Sequence, residues 1–152
     1  MLMNMFEFAY EEGDKITELF RPKDISYFRN KYNNNCFGFA QHCCAMLTEG
    51  NVLCSMLTFK NGHNFVDDGI KVWDDINHKH NLYTHHSVVL LGDCIMDMLH
   101  SDRLISTQEY VRGLEKDNPN LQLDNAMTGC WYNSEGYPVK VTLDNLKSGI
   151  YD

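Results

Sequence analysis

The tightest constraint on this chain is the segment Leu82-Tyr83-Thr84-His85-His86-Ser87-Val88-Val89-Leu90-Leu91, followed by Gly92-Asp93 and then Cys94-Ile95-Met96-Asp97. Its β-branched and aromatic residues predict one strand over 82–91. Gly92-Asp93 is a two-residue turn signal, so residues 94–97 return as an antiparallel partner. Val88 to Leu91 are apolar on both faces, which places the hairpin at the centre of a sheet. With a two-residue turn Leu91 pairs with Cys94 and Val88 faces Asp97. His86 shares the parity of Val88, so His86 and Asp97 become diagonal neighbours on one face. Such neighbours lie roughly 7–8 Å apart between backbones, within side-chain reach. His85 projects to the opposite face.

A second feature lies upstream. Asn33-Asn34-Asn35 is a polar turn that runs into Cys36-Phe37-Gly38-Phe39-Ala40. Phe37, Ala40, Cys44 and Leu47 recur at helical spacing, and Gly50 is a natural stop, so a helix is predicted from Cys36 to about Thr48. Asn35 suits the N-cap, because its side-chain oxygen can accept first-turn N–H groups. Cys36 then occupies the first helical position, where the positive end of the helix dipole favours a thiolate. The first-turn N–H groups are also ready donors to an oxyanion. A nucleophilic cysteine further needs a base and a group that orients the base. Cys36, His86 and Asp97 supply one of each.

The remaining chain surrounds these two features. Residues 1–20 predict a helix interrupted at Gly13-Asp14 and stopped by Pro22, and Asp24 caps a short helix from Ile25 to Tyr32. Both read as packing helices. Val52 to Phe59 predicts a strand, and Asn61-Gly62 a turn. Asn64 to Asn81 reads as a polar, irregular excursion with Val66, Ile70, Val72 and Trp73 as anchors. Ser106 or Thr107 caps a helix to about Leu114, and Asn118-Pro119-Asn120 is a loop. Gly129 to Tyr132 and Val139 to Val141 predict short strands around Ser134-Glu135-Gly136, with a short helix from Leu143 to Lys147. Helices followed by strands imply an α+β fold: N-terminal helices, including the one bearing Cys36, packed on a small antiparallel sheet in a single domain over 1–152.

Composition limits the partners. The net charge is −8, and no basic cluster exceeds Arg21-Pro22-Lys23, so a nucleic-acid partner is not expected. No run approaches the roughly 18 apolar residues of a membrane span, so no membrane partner is expected either. Met1 to Tyr10 has neither a basic start nor a long apolar run, so no signal peptide is expected. The six cysteines then read as reduced thiols in a cytoplasmic compartment. No Cys-x-x-Cys or His-Glu-x-x-His is present, and His78-x-His80 falls in a polar loop, so neither a metal nor another cofactor is expected. No Gly-x-Ser-x-Gly elbow or phosphate-binding glycine pattern occurs.

Asn-Cys-Phe-Gly-Phe-Ala at a helix start, His-Ser-Val-Val-Leu-Leu-Gly-Asp on a strand and an acid on the next strand resemble the papain-like cysteine-enzyme superfamily. That group includes papain-type and NlpC/P60-type peptidases, transglutaminase-like proteins and glutamine deamidases. The resemblance covers roughly residues 30–98. It implies a papain-like domain with Cys36 as nucleophile, His86 as base and acid, and Asp97 as the orienting group. Papain-type members place a glutamine six residues before the cysteine as an oxyanion donor. Asn30 stands there in this chain, and Asn33, Asn34 or Asn35 are the alternatives. Phe37 stands where papain-type peptidases often carry tryptophan.

The expected function is a cysteine hydrolase or acyltransferase acting on an amide bond of a protein or peptide: a peptidase, an amidase or a glutamine deamidase. A viral or bacterial effector acting in a host cell fits the size. The alternative is a non-enzymatic binding or inhibitory module whose acidic surface and exposed aromatics, Trp73, Tyr83 and Trp131, contact a protein partner.

Overall fold

The computed structural model describes residues 31–62, 69–100, 104–133 and 135–149. In chain order its elements are helix α1 (Cys36–Glu49), strands β1 (Ser55–Asn61), β2 (Ile70–Asp74), β3 (Lys79–Tyr83), β4 (His86–Leu91), β5 (Cys94–Met96) and β6 (Ile105–Ser106), helix α2 (Thr107–Asp117), strands β7 (Leu121–Leu123), β8 (Trp131–Tyr132) and β9 (Pro138–Val139), and helix α3 (Leu143–Ser148). The fold is α+β. A five-stranded antiparallel sheet in the order β6-β5-β4-β1-β7 carries α1 against β4 and β1, while α2 lies against β2, β5, β6 and α3. Two small hairpins, β2–β3 and β8–β9, complete it.

Strand β4 organises the core. Every residue from His86 to Leu91 is buried, as expected of a strand with neighbours on both edges and layers on both faces. It pairs with β1 in the register Ser55 to Leu90 through Phe59 to His86. On its other edge Leu91 pairs with Cys94 and Val89 with Met96, across a tight turn in which Gly92 adopts φ +55°. Glycine takes that left-handed conformation without the Cβ penalty. The α1 residues buried against this sheet are Cys36, Phe39, Ala40, Cys43 and Leu47. Of the predicted stripe, Ala40 and Leu47 are buried as expected, whereas Phe37 and Cys44 give way to their neighbours. Phe37 is half exposed and Cys44 only partly buried, because Phe39 and Cys43 present a continuous face that also carries Cys36 inward.

Three other sequence expectations change, and one strand is added. The stretch Asn64 to Asn81 is not an irregular excursion in its described part, because residues 70–83 form the β2–β3 hairpin, with Ile70, Val72 and Asp74 inward and Lys71 and Trp73 outward. Period-2 alternation was present there, but polar residues between the apolar anchors masked it. The predicted strand 82–91 is two strands, divided at Thr84-His85, since Lys79 to Tyr83 pairs with β2 rather than continuing into the main sheet. Strand β7, Leu121–Leu123, extends β1 at the sheet edge and is too short to signal itself in sequence. Trp131, expected on the surface, is 5% exposed. The helices expected before residue 31 lie outside the described residues.

The β2–β3 hairpin is tied down at both ends. Asn118, just after α2, exchanges two 2.8 Å hydrogen bonds with the backbone of Lys71. At the turn, the N–H of Asp75 donates to the carbonyl of Leu99 at 3.0 Å. No helix among the described residues is long and apolar enough to cross a membrane.

Leu90 is fully buried, whereas Leu82, on the outer face of the hairpin, is 68% exposed. Leu90→Ala is therefore expected to cost about 2–5 kcal/mol in urea unfolding. Leu82→Ala should stay within about 0.5 kcal/mol of the parent protein. Equal losses at the two positions would contradict this placement of β3 and β4.

Candidate active site

The site begins with the first residue of α1. The Asn35 side-chain oxygen accepts the N–H of Gly38 at 3.0 Å, and the Asn35 carbonyl accepts the N–H of Phe39. The first bond satisfies one of the helix's orphan donors, and the second is its first intrahelical bond. The N–H groups of Cys36 and Phe37 lie in the same first turn, where no helix carbonyl precedes them. Cys36 is 6% exposed, and its thiol reaches the carbonyl of His85 at 3.7 Å. Helix α1 thus meets the start of β4 at the sulfur atom.

His86 and Asp97 come together as the register required. His86 Nε2 and Asp97 Oδ2 are 3.0 Å apart, with His86 fully buried and Asp97 nearly so. Asp97 receives two further donors: the N–H of Leu99 on Oδ1 at 2.9 Å and the hydroxyl of Tyr110 on Oδ2 at 2.7 Å. Because Nε2 is committed to Asp97, Nδ1 is the ring atom left for the thiol. Nδ1 is buried and has no hydrogen-bond partner among the described residues. The ring of Tyr83 stacks on the imidazole with centroids 5.6 Å apart and an angle of 18°. His85 turns away, as its parity predicted, and pairs with Asp124 at 3.0 Å.

The electrostatics follow from this geometry. Burial is the largest influence on the Cys36 thiol and by itself would raise its pKa. The neighbouring imidazole of His86 and the N–H of Ser87 together outweigh burial and the charge of Asp97, so the thiol lies below its ordinary value of 9.0. Burial would likewise lower His86, but the charge and hydrogen bond of Asp97, with the Cys36 sulfur adding to them, raise it to about 10. Asp97 is pushed up by burial and pulled down further by His86, Leu99 and Tyr110, and ends below the usual carboxylate range. All three shifts favour a thiolate–imidazolium pair held by a carboxylate. Two other cysteines differ. Burial and Asp93 push Cys94 up to about 12, and contact with Cys54 together with burial raises Cys44.

Of the residues singled out in sequence, Cys36, His86 and Asp97 are brought together. Asn35 is engaged as the helix cap. Asn34 adopts φ +59°, a conformation asparagine tolerates, and faces a cavity with Asn33. Asn30 lies outside the described residues. The sequence places Tyr83 only among exposed aromatics and assigns Tyr110 no role. In an unbroken strand Tyr83 would have faced away from His86; the division at Thr84-His85 folds it back over the ring. Tyr110 sits on the buried face of α2, where its spacing signals only packing. No group of three or more His, Cys, Asp or Glu side chains among the described residues is placed to hold a metal.

Removing one partner of a buried ion pair leaves the other uncompensated. Asp97→Asn should therefore cost about 3–5 kcal/mol at neutral pH. Tyr110→Phe, which removes one hydrogen bond to the charged carboxylate, should cost about 1.5–3 kcal/mol. Because the folded-state pKa of Asp97 is depressed below 3.8, its contribution is present above that value and disappears as pH falls through the folded-state pKa. The gap between Asp97→Asn and the parent protein in urea unfolding should accordingly close as pH falls below that range. Searches of protein-family models, curated proteins and solved structures find no match to this chain.

Proposed function

We propose that this protein is a cysteine-dependent enzyme of papain-like layout that attacks amide carbonyls, with Cys36 as nucleophile, His86 as proton carrier and Asp97 as its orienting group. The observation that carries this reading is geometric: the Cys36 thiol, at the start of α1, lies 3.7 Å from the carbonyl of His85, and the buried imidazole of the next residue, His86, has Nε2 3.0 Å from Asp97 while its Nδ1 is left without a partner among the described residues. A thiol at a helix start beside an oriented imidazole is the arrangement that nucleophilic catalysis uses, and the directions of the Cys36 and His86 shifts agree with it.

In the proposed reaction the Cys36 thiolate adds to the carbonyl carbon, and the carbonyl oxygen takes the negative charge. The first-turn N–H groups of Cys36 and Phe37 are the donors for that oxyanion. The imidazolium transfers its Nδ1 proton to the leaving nitrogen, the C–N bond breaks, and a thioester remains. Water, deprotonated by the now neutral His86, attacks the thioester, and the sulfur leaves as thiolate while His86 is again protonated. Peptide hydrolysis, side-chain deamidation and acyl transfer share the first half of this sequence. Asp97 keeps one ring nitrogen engaged, so the other is always directed at the sulfur.

The test uses a small electrophile, since Cys36 is nearly covered. Iodoacetamide at pH 7, with labelled sites read by mass spectrometry, should modify Cys36 about tenfold or more faster than Cys94 or Cys44, because reactivity follows the thiolate fraction. In His86→Ala, burial would act on Cys36 with little opposition, its pKa should rise above 9.0, and labelling should slow by about tenfold or more. Uniform labelling of the cysteines, or a rate at Cys36 indifferent to His86, would dispose of the nucleophile assignment.

A further inference from the structure

A cavity of about 410 Å³ adjoins the site. Its volume falls in the range of about 300–1,000 Å³ usual for small-ligand pockets. Its walls come from three places that also build the Cys36 centre. Asn33 and Asn34 belong to the turn that leads into α1. Tyr83 stacks on His86, and Leu99 donates its N–H to Asp97. The remaining wall is the β2–β3 turn, with Asp74, Asn77, Lys79 and Asn81.

The hydrogen bonds of that wall decide what it can recognise. Asp74 is 2% exposed and accepts four donors. Oδ1 takes the N–H groups of Ile76 and Asn77, each at 3.0 Å, and Oδ2 takes the side-chain amides of Asn77 at 2.9 Å and Asn81 at 3.3 Å. Its carboxyl is held below the usual range: burial would raise it, and these donors outweigh burial. The charge of Asp74 is therefore fully engaged. The second amide hydrogen of Asn81 goes to the hydroxyl oxygen of Tyr83 at 3.0 Å. These bonds fix the orientation of both carboxamides, because only the NH₂ ends can face a carboxylate.

Three groups remain for a ligand. The side-chain oxygens of Asn77 and Asn81 are acceptors with no partner among the described residues. The hydroxyl of Tyr83, having accepted from Asn81, has its own proton to donate. Two acceptors and one donor on residues lining one cavity complement a primary carboxamide, which offers two N–H donors and one carbonyl acceptor. A carboxylate would face two acceptor oxygens and the Asp74 charge, with only the exposed Lys79 ammonium in its favour. An apolar side chain would offer these three groups no partner.

We propose that this cavity is a substrate subsite for a glutamine or asparagine side chain, lying beside the amide bond that Cys36 attacks. This rests on the nucleophile reading of Cys36. The pocket makes the enzyme selective for protein segments carrying a carboxamide residue next to the reacting bond.

The experiment measures alkylation of Cys36 by peptides carrying an internal vinyl sulfone. The set is identical except for one residue, which is glutamine, asparagine, glutamate, leucine or lysine, and that residue is moved through the positions on either side of the electrophile. Each rate is divided by the iodoacetamide rate of the same protein sample, so that thiolate reactivity and folding cancel. At one position the glutamine or asparagine peptide should react about tenfold faster than the leucine and glutamate peptides. In Asn81→Ala that advantage should fall to about threefold or less. A preference for glutamate would overturn the carboxamide assignment and make Lys79 the dominant contact. Absence of any side-chain preference, with iodoacetamide still selecting Cys36, would overturn the subsite and leave the nucleophile standing. Failure of iodoacetamide to select Cys36 would remove both.

Discussion

The buried pair of His86 and Asp97 is the constraint to which the rest of the structure answers. Two ionisable groups removed from water cost several kcal/mol each unless every polar atom finds a partner. Asp97 has three donors, from a strand, a loop backbone and a helix. Those donors bring α2 against the end of β5 and hold the 97–99 segment in place. His86 is covered on one face by Tyr83, which requires the β2–β3 hairpin to lie over the start of β4. The sulfur of Cys36 lies 3.7 Å from the carbonyl of His85, which requires α1 to begin beside the start of β4. The positions of α1, α2 and the small hairpin are thus all conditions for burying one ion pair.

The small hairpin has its own internal logic. Asp74 closes the turn by accepting four hydrogen bonds, and it aligns Asn77 and Asn81 in doing so. Asn118 and Leu99 clamp the hairpin to the body of the protein. A two-stranded ribbon is marginal in water by itself. Its order here comes from these clamps and from burying Ile70 and Val72. Polar residues therefore carry more of the organisation around the site than the apolar pattern would suggest.

That division explains what could be read from sequence. The Cys36 helix with its Asn35 cap, the β4–β5 turn and the juxtaposition of His86 with Asp97 follow from local rules: capping, two-residue turns and side-chain parity. The β2–β3 hairpin escaped because its stability lies in contacts to Asn118 and Leu99, far away along the chain. Tyr110 escaped for the same reason, since nothing on α2 announces that one of its buried residues will bond an acid thirteen positions earlier. The break at Thr84-His85 was hidden because both halves consist of good strand formers. The α+β class was legible, whereas the partners of β3 and the edge strand β7 were decided by tertiary contact alone.

The start of β4 has one more consequence. Three successive residues address the same sulfur: His85 through its carbonyl, His86 through its ring and Ser87 through its N–H. Because they share one stretch of backbone, all three depend on how α1 is seated on β4. Ala40, fully buried one turn along the helix from Cys36, sits in that contact. Adding a methyl group there would lift the helix and change all three interactions in concert, so the chemistry of this centre is tuned by the thickness of its packing as well as by the residues that touch the sulfur.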